Sequence, residues 1–346
     1  MDSRNVSSWR RLVVAGFFAT LTIAGLTWDT AEARAPARPE ARAPVRSEAR
    51  ASARHAKHAR TARKHVIHGP GYNPPYSAIV VDRSSGQVLH DEHADEPRHP
   101  ASLTKIMTLY LLFEQLEAGK LRLDTSLPVS AFAAQQNPTK LGLRPNQTLL
   151  VEDAIKGLVT KSANDAAVVV SEALAGSEPE FAQLMTQKAH ALGMTSTTYV
   201  NASGLPAEEQ WTTARDQALL GRAIQDRFPD YYRYFSTLSF RYRGREMRNH
   251  NALLGQVEGV DGIKTGYTEA SGYNLTVSVR RNDKHLVAVV LGGKSNAKRD
   301  ARMRELIAQF LPAPATLRTA PTVVKPAGRS AAFAGTKRSA PESARR

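Results

Sequence analysis

From Tyr273 to Leu291 the chain reads YNLTVSVRRNDKHLVAVVL. β-Branched and aromatic residues fill both halves, and Asn282-Asp283 between them is a tight-turn signal, so the stretch predicts an antiparallel hairpin. A closing helix is expected just beyond it, over residues 296–311. Similar strand signals recur far away in sequence. Ser77 to Val81 and Gln87 to His90 flank a turn at Ser84-Ser85-Gly86, and Leu238 to Tyr242 is a further run. The middle of the chain is helical in pattern. Ile106, Leu109, Tyr110, Leu112, Phe113 and Leu116 carry helical spacing within Ala101 to Leu116. Further helices are expected at 151–161, 164–175, 179–192 and 214–227. Strands at both ends with helices between them predict an α+β fold: one antiparallel sheet built from sequence-distant ends, with a helical insertion.

Three short motifs fall in this frame. Ser102-Leu103-Thr104-Lys105 opens the first long helix after Pro100. Residues three apart share a helical face, so the Ser102 hydroxyl and the Lys105 amine are neighbours. An alcohol needs a base to become a nucleophile, and a lysine serves once burial and a second cation lower its pKa. Ser162-Ala163-Asn164 lies between two expected helices, where Ser162 is placed to relay a proton and Asn164 to orient an amide. Lys264-Thr265-Gly266 follows Asp261-Gly262, read as a turn leading into a strand. A lysine charge with a threonine hydroxyl suits a carboxylate, and Gly266 admits a second backbone. Alone, each motif also fits a bland role: a helix-start serine with a solvated lysine, a helix cap, or an exposed edge strand. Ser295-Asn296-Ala297-Lys298 repeats the Ser-x-x-Lys spacing and is read as accidental.

In this order and context the trio resembles the penicillin-recognising serine enzymes, and most closely the low-molecular-mass D-alanyl-D-alanine carboxypeptidases. Tyr76 to Asp82, Arg98 to Lys105, Asn201 to Leu205, Thr213 to Asp216 and Val260 to Tyr273 extend the likeness over residues 72–312. The resemblance implies a β-lactamase/DD-peptidase-like fold, an antiparallel sheet flanked by helices with an all-helical subdomain. It implies Ser102 as nucleophile, Lys105 as general base and Ser162, with Lys264, as proton relay to the departing D-Ala. Asn164, Lys264, Thr265, Gly266 and Arg299 would bind substrate, with backbone N–H groups of Ser102 and Tyr267 as oxyanion hole. It implies peptidoglycan stem peptides as substrate, β-lactams as covalent inhibitors, and no metal or organic cofactor. Asn249-His250-Asn251 departs from relatives that carry Arg between the asparagines.

Composition bounds the rest. The 346 residues carry a formal net charge of +15. Residues 34–66 hold ten Lys and Arg against two Glu, and residues 313–346 hold seven against one. Removing that +8 and +6, with a neutral first 33 residues, leaves about +1 for the remainder. Basic tails of Ala, Arg and Pro, with Phe333 their one aromatic residue, argue against nucleic acid and allow attraction to an anionic envelope surface. Arg4, Arg10 and Arg11, the apolar run Leu12 to Leu26 and Ala31-Glu32-Ala33 form an export signal. The expected organisation is signal 1–33, disordered basic linker 34–71, catalytic domain 72–312 and disordered tail 313–346. The expected location is the periplasm, with inner-membrane anchoring if the signal stays uncleaved. The absence of cysteine excludes disulfides, a thiolate nucleophile and cysteine-ligated zinc.

Three alternatives share these residues. A DD-endopeptidase would cleave cross-links with the same site. A β-lactamase would need a deacylating glutamate, and Glu178-Pro179-Glu180-Phe181 reads instead as a helix start. A non-catalytic peptidoglycan-binding scaffold would retain its biological effect without Ser102.

Overall fold

The computed structural model describes residues 72–311. The expected signal (1–33), linker (34–71) and tail (313–346) lie outside the described residues. β1 (Ser77–Asp82) and β2 (Val88–Glu92) form the expected N-terminal hairpin. A 3-10 turn over Ala101–Leu103 feeds α1 (Thr104–Glu117). A ribbon of β3 (Ser126–Pro128) and β4 (Thr148–Leu150) brackets the short α2 (Ala131–Ala134). Four longer helices follow: α3 (Val151–Val159), α4 (Asn164–Ala175), α5 (Glu178–Ala191) and α6 (Ala214–Arg227). After α7 (Pro229–Tyr232), β5 (Ser239–Tyr242) and β6 (Arg245–Arg248) make a small hairpin. The chain closes with β7 (Val260–Thr268), β8 (Gly272–Arg281), β9 (Lys284–Gly293) and α8 (Asn296–Phe310).

The main sheet has the order β2-β1-β9-β8-β7 and is antiparallel throughout. Its two ends in sequence meet in the middle: Ser77 pairs with Leu291 and Asp82 with Leu286. Both faces of the central strands are covered. Ile79, Val81, Val287, Val289 and Leu291 join the core beneath the helices, while Ala78, Val80, Leu286, Ala288 and Val290 face Met303, Leu306 and Ile307 of α8. Strict alternation between two dry faces explains why β9 reads as an unbroken apolar run. Each such large side chain contributes about 1.5–3 kcal/mol on burial.

Two expectations are corrected. The first helix does not start at Ala101; that residue has φ +48°, and the α-helix begins at Thr104. Asp261-Gly262 is no turn. Both residues belong to β7, where the register to β8 shifts between Val260 and Gly262 and Tyr232 Oη donates to Asp261 Oδ1 at 3.0 Å.

Candidate active site

Ser102 sits in the 3-10 turn, two residues before α1, so its hydroxyl is not consumed as a cap; α1 has no side-chain cap. Lys105, one turn on, is wholly buried. Its Nζ lies 3.1 Å from Ser102 Oγ, 2.8 Å from Asn164 Oδ1 and 2.5 Å from the Ser203 carbonyl oxygen. Burial, then the charge of Lys264, holds the amine well below the usual lysine range, against the opposing pull of Glu178 and Asp165. Burial thus shifts the balance toward the neutral amine, which has two N–H bonds and one lone pair. Asn164 Oδ1 and Ser203 O only accept, so they take the two N–H groups. The lone pair is left for Ser102, whose hydroxyl is the one neighbour of the three able to donate.

The second wall comes from the junction of α3 and α4. Ser162 has φ +58°, a left-handed conformation that costs a non-glycine residue about 1–3 kcal/mol and clusters at functional sites. Its Oγ is buried and has no hydrogen-bond partner among the described residues. Asn164 spans the cleft, accepting from Lys105 and donating through Nδ2 to Asn137 O at 2.7 Å. Asp165 fixes the loop beside it: its carboxylate accepts from the backbone N–H groups of Leu141, Gly142 and Leu143 at 2.9–3.1 Å.

The third wall is β7, the edge of the main sheet. Lys264 is buried, donates to its neighbour Thr265 O at 2.9 Å, and forms no ion pair among the described residues. Burial and the Arg299 charge push its pKa down to about 7. A Cβ at Gly266 would stand 3.0 Å from both Pro100 O and Ser102 N, so the glycine lets β7 reach the Ser102 turn. Tyr267 is exposed and stacks on Tyr273 with ring centroids 4.2 Å apart. Arg299 is buried in α8, its Nε and Nη2 on Asp300 Oδ1 and its Nη1 3.4 Å from Asn274 O. The accidental pair behaves as such: Ser295 caps α8 by accepting from Lys298 N.

Residues outside the three motifs hold these walls together. Asn274 Nδ2 donates to His99 O and Pro100 O at 3.0 and 3.2 Å, while its Oδ1 accepts from Gly292 N, tying the Ser102 turn to the sheet. Asn201 Oδ1 accepts from Gly204 N at 2.7 Å and Leu205 N at 3.1 Å, shaping the loop that presents Ser203 O to Lys105. Gly204, at φ +83°, has Ala101 O only 1.8 Å from where a Cβ would sit. Glu178 opens α5, where Ser177 is the cap, and its Oε1 accepts from Ala202 N at 3.0 Å. That carboxylate serves the scaffold, in line with its reading as a helix start. Among the described residues no cluster of His, Cys, Asp and Glu is suited to a metal ion.

Comparison with known proteins gives a consistent result. The model of the D-alanyl-D-alanine carboxypeptidase family matches residues 74–295. D-alanyl-D-alanine carboxypeptidase DacC of Escherichia coli is 39% identical over 236 residues, 66% of this chain and 59% of that protein. Penicillin-binding protein 5 of Haemophilus influenzae superposes with a TM-score of 0.66 at 29% identity, covering 70% of this chain and 72% of that one. Penicillin-binding protein D2 of Listeria monocytogenes, solved with ampicillin bound, gives 0.59 at 31% identity, covering 67% and 95%.

Proposed function

The chain belongs to the D-alanyl-D-alanine carboxypeptidase family, and from that premise we propose that it removes the terminal D-Ala from peptidoglycan stem peptides through an acyl-enzyme on Ser102. The observation that carries this reading is the Lys105 amine, buried beside Ser102 Oγ with both of its N–H groups assigned to carbonyl acceptors. The chain spans 59% of the length of its curated relative DacC.

Lys105 takes the Ser102 proton as Oγ attacks the carbonyl of the penultimate D-Ala. The oxyanion receives the backbone N–H groups of Ser102 and Tyr267, on the turn and the edge strand that Gly266 brings together. Asn164 orients the peptide amide. Collapse of the tetrahedral intermediate breaks the C–N bond, and the proton reaches the departing amine through Ser162, whose Oγ has no other claim on it among the described residues. Lys264 and Thr265 hold the terminal carboxylate, and Arg299 adds its positive field from behind Lys264. Water then releases the shortened peptide, with Lys105 as base again. Slow release fits a site in which Glu178 is engaged with the scaffold, and it makes the enzyme a target for covalent acylation by β-lactams.

The proposal extends to the whole chain. Residues 1–33 direct export, the catalytic domain works in the periplasm on the cell wall, and the basic segments on either side attract it to anionic envelope surfaces. The test is intact-protein mass after incubation with benzylpenicillin, run beside an assay of D-Ala release from a pentapeptide. One drug mass on the wild type and none on Ser102→Ala is expected. Drug consumed without a lasting adduct would turn the reading toward a β-lactamase. Cleavage of cross-linked peptides without release of terminal D-Ala would turn it toward an endopeptidase.

A further inference from the structure

The β5–β6 hairpin has two unlike sides. Phe240, Tyr242 and Met247 pack onto the core beneath the helices. The other side and the tip carry Arg241, Arg243, Arg245 and Arg248, all exposed, with Glu246 as the one carboxylate of the hairpin. Arg241 stands opposite Glu246 in the ladder without forming an ion pair, and Arg248 Nη2 lies 3.7 Å from that carboxylate. Arg243 turns the tip at φ +46°, its guanidinium 5.5 Å from the Tyr242 ring centre and its Nη1 donating to Gln147 Oε1 at 2.7 Å. The same oxygen accepts from the backbone N–H of Arg144, a fifth exposed arginine, at 3.3 Å. Five guanidinium groups thus gather around one carboxylate, on a domain whose formal charge is otherwise nearly balanced.

Leu238, just before β5, is 57% exposed, the most exposed large apolar side chain among the described residues. Its backbone is pinned: its carbonyl accepts from Asn249 N at 2.8 Å, and Asn249 Nδ2 donates to Thr237 O at 2.9 Å. Charge alone would suit any polyanion. A protruding aliphatic side chain beside a guanidinium cluster suits a surface that is anionic outside and hydrocarbon within. We propose that the β5–β6 hairpin docks the folded domain on an anionic phospholipid bilayer, its arginines on lipid phosphates and Leu238 in the acyl boundary. Guanidinium groups grip phosphate oxygens two at a time, and the hairpin backbone is already folded. The contact differs from attraction through the terminal segments because it sets one face of the domain against the lipid. Asn251, three residues past β6, donates through Nδ2 to Gly262 O in β7 at 3.2 Å, so a docked hairpin also fixes the orientation of the cleft edge.

The experiment uses the absence of cysteine from the chain. Leu238→Cys and, as control, Leu184→Cys are each coupled in the full chain to a polarity-sensitive fluorophore. Leu184 is also exposed, on α5, with Glu180 and Lys188 one turn to either side. The probes are phosphatidylglycerol vesicles, phosphatidylcholine vesicles and purified peptidoglycan. Phosphatidylglycerol is expected to shift the emission to the blue at position 238 and leave it unmoved at 184. The shift should vanish with phosphatidylcholine, and at about 1 M salt, where charges are screened beyond about 3 Å. In the chain labelled at 238, Arg241→Gln, Arg245→Gln and Arg248→Gln should each weaken partitioning by about fivefold with an unchanged Tm. No shift at 238, or an equal shift at 184, overturns the proposal and leaves the terminal segments as the sole membrane contact. Arginine variants that partition like their parent overturn it as well. So does a shift at 238 with peptidoglycan and none with vesicles, which would assign the hairpin to the wall polymer.

Discussion

Two places in this chain carry the same Ser-x-x-Lys spacing at the start of a helix, and they do different things. At Ser295 the backbone is extended, the hydroxyl accepts from Lys298 N at 3.1 Å, and Lys298 points into solvent. At Ser102 the residue sits inside a 3-10 turn, its hydroxyl is free of capping, and Lys105 is buried against two carbonyl-type acceptors. Spacing supplies proximity in both. The surroundings supply chemistry in one only. A lysine becomes a base where water is excluded and a like charge stands near, which Lys264 provides for Lys105.

The sharpest way to break the comparison is to remove each serine. Ser102→Ala is expected to lower D-Ala release by at least about 10³-fold and to abolish the benzylpenicillin adduct. Activity that survives this change would leave the two serines equivalent. Next in size, Lys105→Gln removes the base and should slow acylation by about 10²–10⁴-fold, followed by stopped-flow with a chromogenic β-lactam. Lys298→Gln should leave the same rate unmoved.

The field between the two cleft lysines gives a smaller, pH-dependent effect. Lys264 is pushed down to about 7, so it is charged below that pH and neutral above it. Its contribution to carboxylate binding is present on the acid side and lost as pH rises. kcat/KM for the free enzyme should therefore decline through about pH 7, approaching about tenfold per unit, and Lys264→Arg should remove the decline. An alkaline limb unchanged in that variant would assign it to another group. Smallest of all, Ser295→Ala should cost about 1 kcal/mol of stability through loss of a cap, read as a modest drop in Tm with full activity.

Much of this was legible in advance because it is local. The hairpin around Asn282, which takes φ +51°, rests on residue types within a few positions. So does the helix that places Lys105 over Ser102. Strand β6, reading Arg-Glu-Met-Arg, has no apolar alternation and was not seen. The three-residue strands β3 and β4 are too short to carry a period. Asp261-Gly262 has the composition of a turn, yet pairing with β8 and the bond from Tyr232 draw it into β7. In the site, the motif side chains were found because each carries recognisable chemistry. Asn274 was not, and Asn201 entered only as part of a resembling stretch with no role, since their partners are backbone atoms whose positions no sequence pattern records.

The pairing of Ser77 with Leu291 sets a condition on biosynthesis. The first strand is translated more than 200 residues before the partner that separates it from β8, and Lys264 emerges long after Ser102. A growing chain thus holds Ser102 and Lys105 without the wall that Lys264 belongs to, and cannot close its central sheet until the last strand is released. Any copy interrupted before residue 284 lacks the strand that joins β1 to β8 in the main sheet.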